Sequence, residues 1–249
     1  MKKYRNQSLV FLLCAAIAFS LFGCSDQKES SDSANLPSAE QTAPADSSDS
    51  DAALIAERFA KVWEEKWASL QQEGTVSNGT GYSFLADMDN DNAPELIFLY
   101  NNDVNYDGII YRLDKEKIEE LGSFRISHTE PVLSFGIYQS ENGVILKNVA
   151  VRPLADSTET EESYITVEDS KVLQEILFST TYEGVDTYYD SILAGAKEIS
   201  LEEFNQMRED ILSGAKETAS VFLEPEDSVN CSDPNAVAAS VQSLLQNQK

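Results

Sequence analysis

The chain has one histidine, three cysteines and 18 lysines and arginines against 43 acids. One imidazole cannot build a histidine-rich metal site. A nucleophile–histidine pair would have to use His128, which lies in the polar stretch Ser127-His128-Thr129-Glu130-Pro131 with no nucleophile-elbow glycine pattern around it. A net charge of −25 is the opposite of the basic surface that displaces counterions from phosphates, so nucleic acid is excluded as a partner. With 24% of residues charged and one long apolar run, a multi-span membrane protein is excluded as well. No glycine-rich phosphate loop, no zinc-spaced ligand set and no repeat of propeller or solenoid length is present. The apolar content of 42% is still enough to build a core.

The apolar run marks an export signal. Lys2, Lys3 and Arg5 form a positive start, an apolar stretch covers 9–19, and the segment ends Leu21-Phe22-Gly23-Cys24. That ending resembles the bacterial lipobox, in which the cysteine is acylated and becomes the first residue after cleavage. The resemblance implies a signal peptide over 1–23, a lipidated Cys24 and a chain held at the extracytoplasmic face of the cell membrane by two or three acyl chains, enough for stable anchoring. Cys14 leaves with the signal and Cys24 carries lipid, so Cys231 stands alone and no internal disulfide can form. Cys231 is expected to be an inert thiol. Residues 24–51 hold eight serines, two prolines, seven acids and one lysine, the composition of a self-repelling disordered tether.

A single domain is expected over 52–249. Asp51 is placed to cap a helix over 52–72, with Leu54, Ile55, Phe59, Val62, Trp63 and Leu70 mostly on one face and Gly74 as its stop. Trp63 and Trp67, one turn apart, are assigned to core packing. Strands are predicted at 82–86, 95–100, 108–113, 118–121, 132–139, 144–151 and 164–167, with a hairpin turn at Glu141-Asn142-Gly143 and a polar loop over 158–162. Residues 172–180 fit either period and are assigned to strand. Ser200-Leu201-Glu202-Glu203 is a capping box for a helix with Phe204, Met207, Ile211 and Leu212 on its apolar face. Ser232-Asp233-Pro234 starts a last helix that buries Val237, Val241, Leu244 and Leu245. The fold class predicted is α+β: a largely antiparallel β-meander packed by an N-terminal helix and two C-terminal helices.

One constellation carries chemistry. Residues 84–99 read FLADMDNDNAPELIFL. Asp87, Asp89 and Asp91 alternate, and Glu95 follows. A hard cation takes six to eight oxygens, and alternating carboxylates on a tightly turning loop converge on one point. The carbonyl of Ala93 falls where such loops lend a backbone oxygen, and Asn92 sits where the chain must turn sharply, a position asparagine fills at low cost. The pattern resembles the calcium loop of EF-hands, dockerins and integrin-type repeats, D-x-D-x-D-G-x-x-[DE], and the resemblance implies calcium held by Asp87, Asp89, Asp91, Ala93 and Glu95. Phe98 stands where a true EF-hand has its twelfth-position carboxylate, and there is one clear copy, so neither an EF-hand nor a propeller follows. The strand–loop–strand text after an N-terminal helix is also similar to exported lipoproteins of Gram-positive bacteria whose function is uncharacterised. A weaker run, Asp103, Asn105 and Asp107, lacks the ninth-position acid and is assigned to a hairpin turn.

Two readings follow from different classes. The first is a non-catalytic binding or envelope-associated module with a structural calcium. The alternative is a carboxylate-dependent hydrolase acting on cell-wall glycan or peptide, for which two carboxylates suffice.

Overall fold

The computed structural model describes residues 47–76, 79–102, 105–127 and 132–247. The predicted signal peptide, Cys24, most of the tether, Asp103 and His128 lie outside them.

The described residues open with helix α1 (Ser47–Glu73). Four strands follow, β1 (Thr80–Ala86), β2 (Glu95–Asn102), β3 (Asn105–Leu113) and β4 (Ile118–Ser127), and then β5 (Leu133–Ser140), β6 (Gly143–Pro153), β7 (Ser157–Glu168), β8 (Lys171–Tyr182), β9 (Val185–Tyr189) and β10 (Glu198–Ile199). Helix α2 (Leu201–Ile211), β11 (Lys216–Leu223), a 3₁₀ turn (Pro225–Asp227), β12 (Val229–Asn230) and α3 (Pro234–Gln246) complete it. The α+β class holds, with a refinement: the strands divide into two antiparallel sheets, ordered β12-β1-β2-β3-β4 and β10-β9-β8-β7-β6-β5-β11.

The layers follow from where the apolar side chains fall. Strand β2 reads Leu96-Ile97-Phe98-Leu99-Tyr100 because both of its faces are covered, which produces a continuous apolar run rather than alternation. Its even positions, Leu96, Phe98 and Tyr100, pack beneath α1 and α3. Its odd positions, Ile97 and Leu99, face Phe135, Leu146 and Ile165 of the second sheet. The opposite face of the second sheet holds α2 through Ile145, Tyr164, Leu177 and Phe204.

Helix α1 buries Ala52, Ala56, Phe59, Trp63, Trp67 and Leu70, spaced three and four apart. Leu54 and Val62, assigned to the apolar face, are exposed instead, because the stripe runs along the alanines and aromatics. Trp63 is fully buried and its Nε1 donates to the Cys231 carbonyl at 2.9 Å, fastening the helix to the turn before α3. Trp67 packs beside it, with ring centroids 5.9 Å apart, so both tryptophans belong to the core. Cys231 is buried, and burial pushes its thiol up to about 12, in keeping with an inert sulfur.

Three expectations about boundaries are corrected. Helix α1 begins at Ser47, so residues 47–51 belong to the helix and not to the tether. Asp51 is therefore no cap; it lies inside the helix, and its carboxylate meets Lys115 Nζ at 2.5 Å. Residues 158–162 are strand, not loop: their β-branched threonines suit a pleated surface, and the three glutamates in the stretch find cationic or hydroxyl partners, Glu159 on Arg152, Glu161 on Ser127 and Glu162 on Tyr164. Other features stand as expected. Gly74 ends α1 at φ +69°, Ser200 and Glu203 form the capping box, Asp233 caps α3 and residues 172–180 form strand.

Glu162 shows how a glutamate survives in that strand. It accepts from Tyr164 OH at 2.6 Å, from Lys147 Nζ at 2.9 Å and from Arg208 Nε at 3.1 Å, so it ties α2 to the sheet. Burial pushes its carboxyl up, but these donors outweigh burial and bring it down from 4.5 to about 2. A depressed carboxylate contributes stability above its unfolded value, and that stability is lost as pH falls through the folded one. Glu162→Gln is therefore expected to destabilise the chain by about 3 kcal/mol near neutrality. In denaturant titrations the gap between the two proteins should close between pH 4.5 and pH 2. A gap that stays constant across that window would mean the network contributes nothing.

Candidate metal centre

The acidic loop connects β1 to β2 at the rim of the first sheet. Its conformation is set by two asparagines in the left-handed region, Asn90 at φ +62° and Asn92 at φ +67°. Asparagine is the cheapest residue there after glycine. With the chain turned in this way, the loop amides close on its own carboxylates. Asp87 accepts from the amides of Asp91 at 3.1 Å and Asn92 at 3.0 Å, and Asp91 accepts from Ala93 N at 2.7 Å.

Of the five predicted ligands, the fold brings three together. Carboxylate oxygens of Asp87, Asp89 and Glu95 all lie within 4.8 Å of one another. Asp91 is not in this group; it is exposed, and one of its oxygens is engaged with the Ala93 amide. Ala93 is exposed as well. Met88, between the first two aspartates, points the other way and is fully buried between the sheets, the alternation that a converging loop requires.

Glu95 opens β2 and has no solvent exposure. Its Oε2 accepts from Met88 N at 2.9 Å. Its Oε1 has no hydrogen-bond partner, and neither does Oδ1 of Asp89. Burial pushes the Glu95 carboxyl up to about 7; the Met88 amide and Arg112 act against this, and Asp89 and Asp91 act with it. The pole of the loop thus holds more negative charge than its protein neighbours neutralise.

Arg112 is the functional residue that sequence reading missed. It pairs through Nη2 with Asp89, and its Nε lies 3.5 Å from Glu95 Oε1. The signal was available in the register: Leu96 opposes Tyr111, which sets Arg112 beside Glu95 across the two strands. Its Nη1 also reaches Ser170 Oγ at 3.3 Å, in the turn between β7 and β8. Asp107, the acid of the weaker run that lies within the described residues, is saturated instead. Arg125 Nε at 2.5 Å, Arg125 Nη2 at 3.0 Å and Asn102 Nδ2 at 2.7 Å all donate to it, which fits a structural pin beside the β2–β3 hairpin.

The second sheet also positions the loop. Met88 O accepts from Val144 N at 3.1 Å, and the chain can come this close only because residue 143 is glycine. A Cβ there would lie 2.1 Å from Met88 O, and Gly143 has φ +126°. A cleft of about 410 Å³ borders the loop at Met88, Gly143 and Val144, and one of about 500 Å³ opens beside Asp107 and Arg125; none of the three converging carboxylates lines either.

Gly143→Ala is expected to cost at least about 2 kcal/mol in chemical denaturation, because it adds both backbone strain and a collision with the loop. Gly184→Ala has positive φ but open space around its Cβ, and should cost only the backbone strain of about 1 kcal/mol, less than Gly143→Ala. Equal losses in the two variants would contradict the contact between loop and hairpin.

No protein-family model, no curated protein and no solved structure matches the chain, so the chemistry of this site has to be read from its own atoms.

Proposed function

We propose that the protein is an exported lipoprotein, anchored through Cys24 at the extracytoplasmic face of the membrane. Its folded part is a non-catalytic binding or envelope-associated module stabilised by one calcium ion. The observation that carries the metal reading is Glu95, a carboxylate without solvent contact whose Oε1 has no donor. It stands beside a second unpartnered oxygen, Asp89 Oδ1.

Calcium–oxygen distances are about 2.3–2.6 Å, so oxygens on opposite sides of one ion stand up to about 5.2 Å apart. The three carboxylates fall inside that limit. All the donors are oxygens, the preference of a hard cation, and one imidazole in the whole chain leaves no nitrogen-rich alternative. The hydrolase alternative has less support. Glycosidase carboxyls stand about 5–9.5 Å apart and must reach substrate, whereas this group is tighter and Glu95 is sealed. The lipid anchor rests on the sequence Leu21-Phe22-Gly23-Cys24.

Calcium at about ten times its dissociation constant should stabilise the chain by about 1.4 kcal/mol, a rise of roughly 3–5 °C in a thermal melt. Asp89→Ala should abolish the rise. A wild-type melt that is identical in calcium and in chelator would sink the metal reading. Separately, the chain expressed in a bacterium should partition into detergent, and Cys24→Ser should move it to the aqueous phase. Retention of the variant in detergent would count against lipidation.

A further inference from the structure

The residue that balances the loop is an arginine, and its placement suggests more than structural support. Arg112 reaches from β3 to two of the three carboxylates, Asp89 and Glu95. It holds Asp89 with one nitrogen, and its Nε stands 3.5 Å from Glu95 Oε1, too far for a hydrogen bond. Its Nε is itself buried and without an acceptor. Arginine and carboxylates therefore face each other at the pole with three polar atoms unsatisfied: Arg112 Nε, Asp89 Oδ1 and Glu95 Oε1. A well-formed buried ion pair would use these atoms on each other. The guanidinium supplies positive charge here without completing the bonds.

We propose that Arg112 is the resident counter-ion of the loop, and that a divalent cation binds by displacing it from Asp89 and Glu95. This rests on the calcium reading of the same carboxylates. Without metal, Arg112 keeps three crowded carboxylates compatible with the fold. With metal, the ion takes over the neutralisation and completes the unsatisfied oxygens, and the guanidinium turns away from them. Ser170 Oγ, already 3.3 Å from Nη1, offers an acceptor on the second sheet. The competition lowers calcium affinity, which suits a site that fills in the millimolar calcium outside cells rather than at cytosolic traces. Arg112 is thus a positioning and affinity-setting residue and not a ligand.

The test compares the full chain with Arg112→Gln and Arg112→Met, both neutral and of similar length. Calcium affinity is read by titration calorimetry, and folding by circular dichroism in chelator and in calcium. Removal of the competitor should tighten calcium binding about tenfold, or about 1.4 kcal/mol, while the metal-free variants melt at lower temperature than wild type. Binding by a variant where wild type shows none would support displacement still more directly. If wild type binds and both folded variants bind equally or more weakly, the displacement is overturned and the calcium site stands. If no protein binds calcium, the site itself is overturned, and the displacement with it. Should both variants unfold in chelator, recovery of the fold in millimolar calcium supports the proposal and failure to recover overturns it.

Discussion

A carboxylate held away from water between two other carboxylates is the constraint around which this end of the molecule is arranged. Glu95 cannot escape to solvent, because β2 is covered on both faces and Glu95 is its first residue. An isolated buried carboxylate costs several kcal/mol, and like charges nearby raise that cost. The chain meets it with one amide from Met88, one partial contact from Arg112 and a proton affinity raised to about 7. What remains unsatisfied has the chemistry of a cation site: oxygen donors, excess negative charge and spacing that one ion can span.

The loop also joins the two sheets, which meet elsewhere through apolar side chains and through polar contacts of β4, Arg125 with Gln174 and Ser127 with Glu161. Met88 inserts into the core between them, its carbonyl is held by Val144, and Arg112 reaches the turn that carries Ser170. A cation at the pole would therefore stiffen a junction and not merely a surface turn. The contrast with Glu162 is instructive. That glutamate is buried to a similar degree, yet Tyr164, Lys147 and Arg208 satisfy it and lower its pKa, whereas Glu95 is left partly bare and its pKa rises. The same residue type serves as a structural pin in one place and as a candidate ligand in the other, according to how many donors surround it.

Much of this architecture was legible in the residues. The capping box at Ser200, the proline start at Pro234, the stop at Gly74 and the hairpin turn at Glu141-Asn142 are local chemistry, and local chemistry survives folding. The alternation and the calcium-loop resemblance pointed to five ligands, Asp87, Asp89, Asp91, Ala93 and Glu95, of which Asp87, Asp89 and Glu95 converge. Other features depended on partners far along the chain. The ion pair of Asp51 in the first turns of α1 comes from Lys115, residues 158–162 pair with β6 and β8, and the edge strand β11 pairs with β5. Arg112 is the clearest case: nothing near it in sequence marks it, and only the register of β2 with β3 brings it to Glu95. Asp91 fell short in the opposite sense, since the turn it helps to make uses one of its oxygens.

The acidity of the chain, 43 acids against 18 bases, thus divides into a general surface property and one small group with a specific geometry. Like charges in such excess repel one another and oppose association between copies of the chain. Equilibrium dialysis of the full chain against calcium tests that division most directly. The account predicts one calcium bound per chain, and none in a variant that lacks the Asp89 and Glu95 carboxylates. Absence of binding by the wild-type chain, or undiminished binding by that variant, would contradict it.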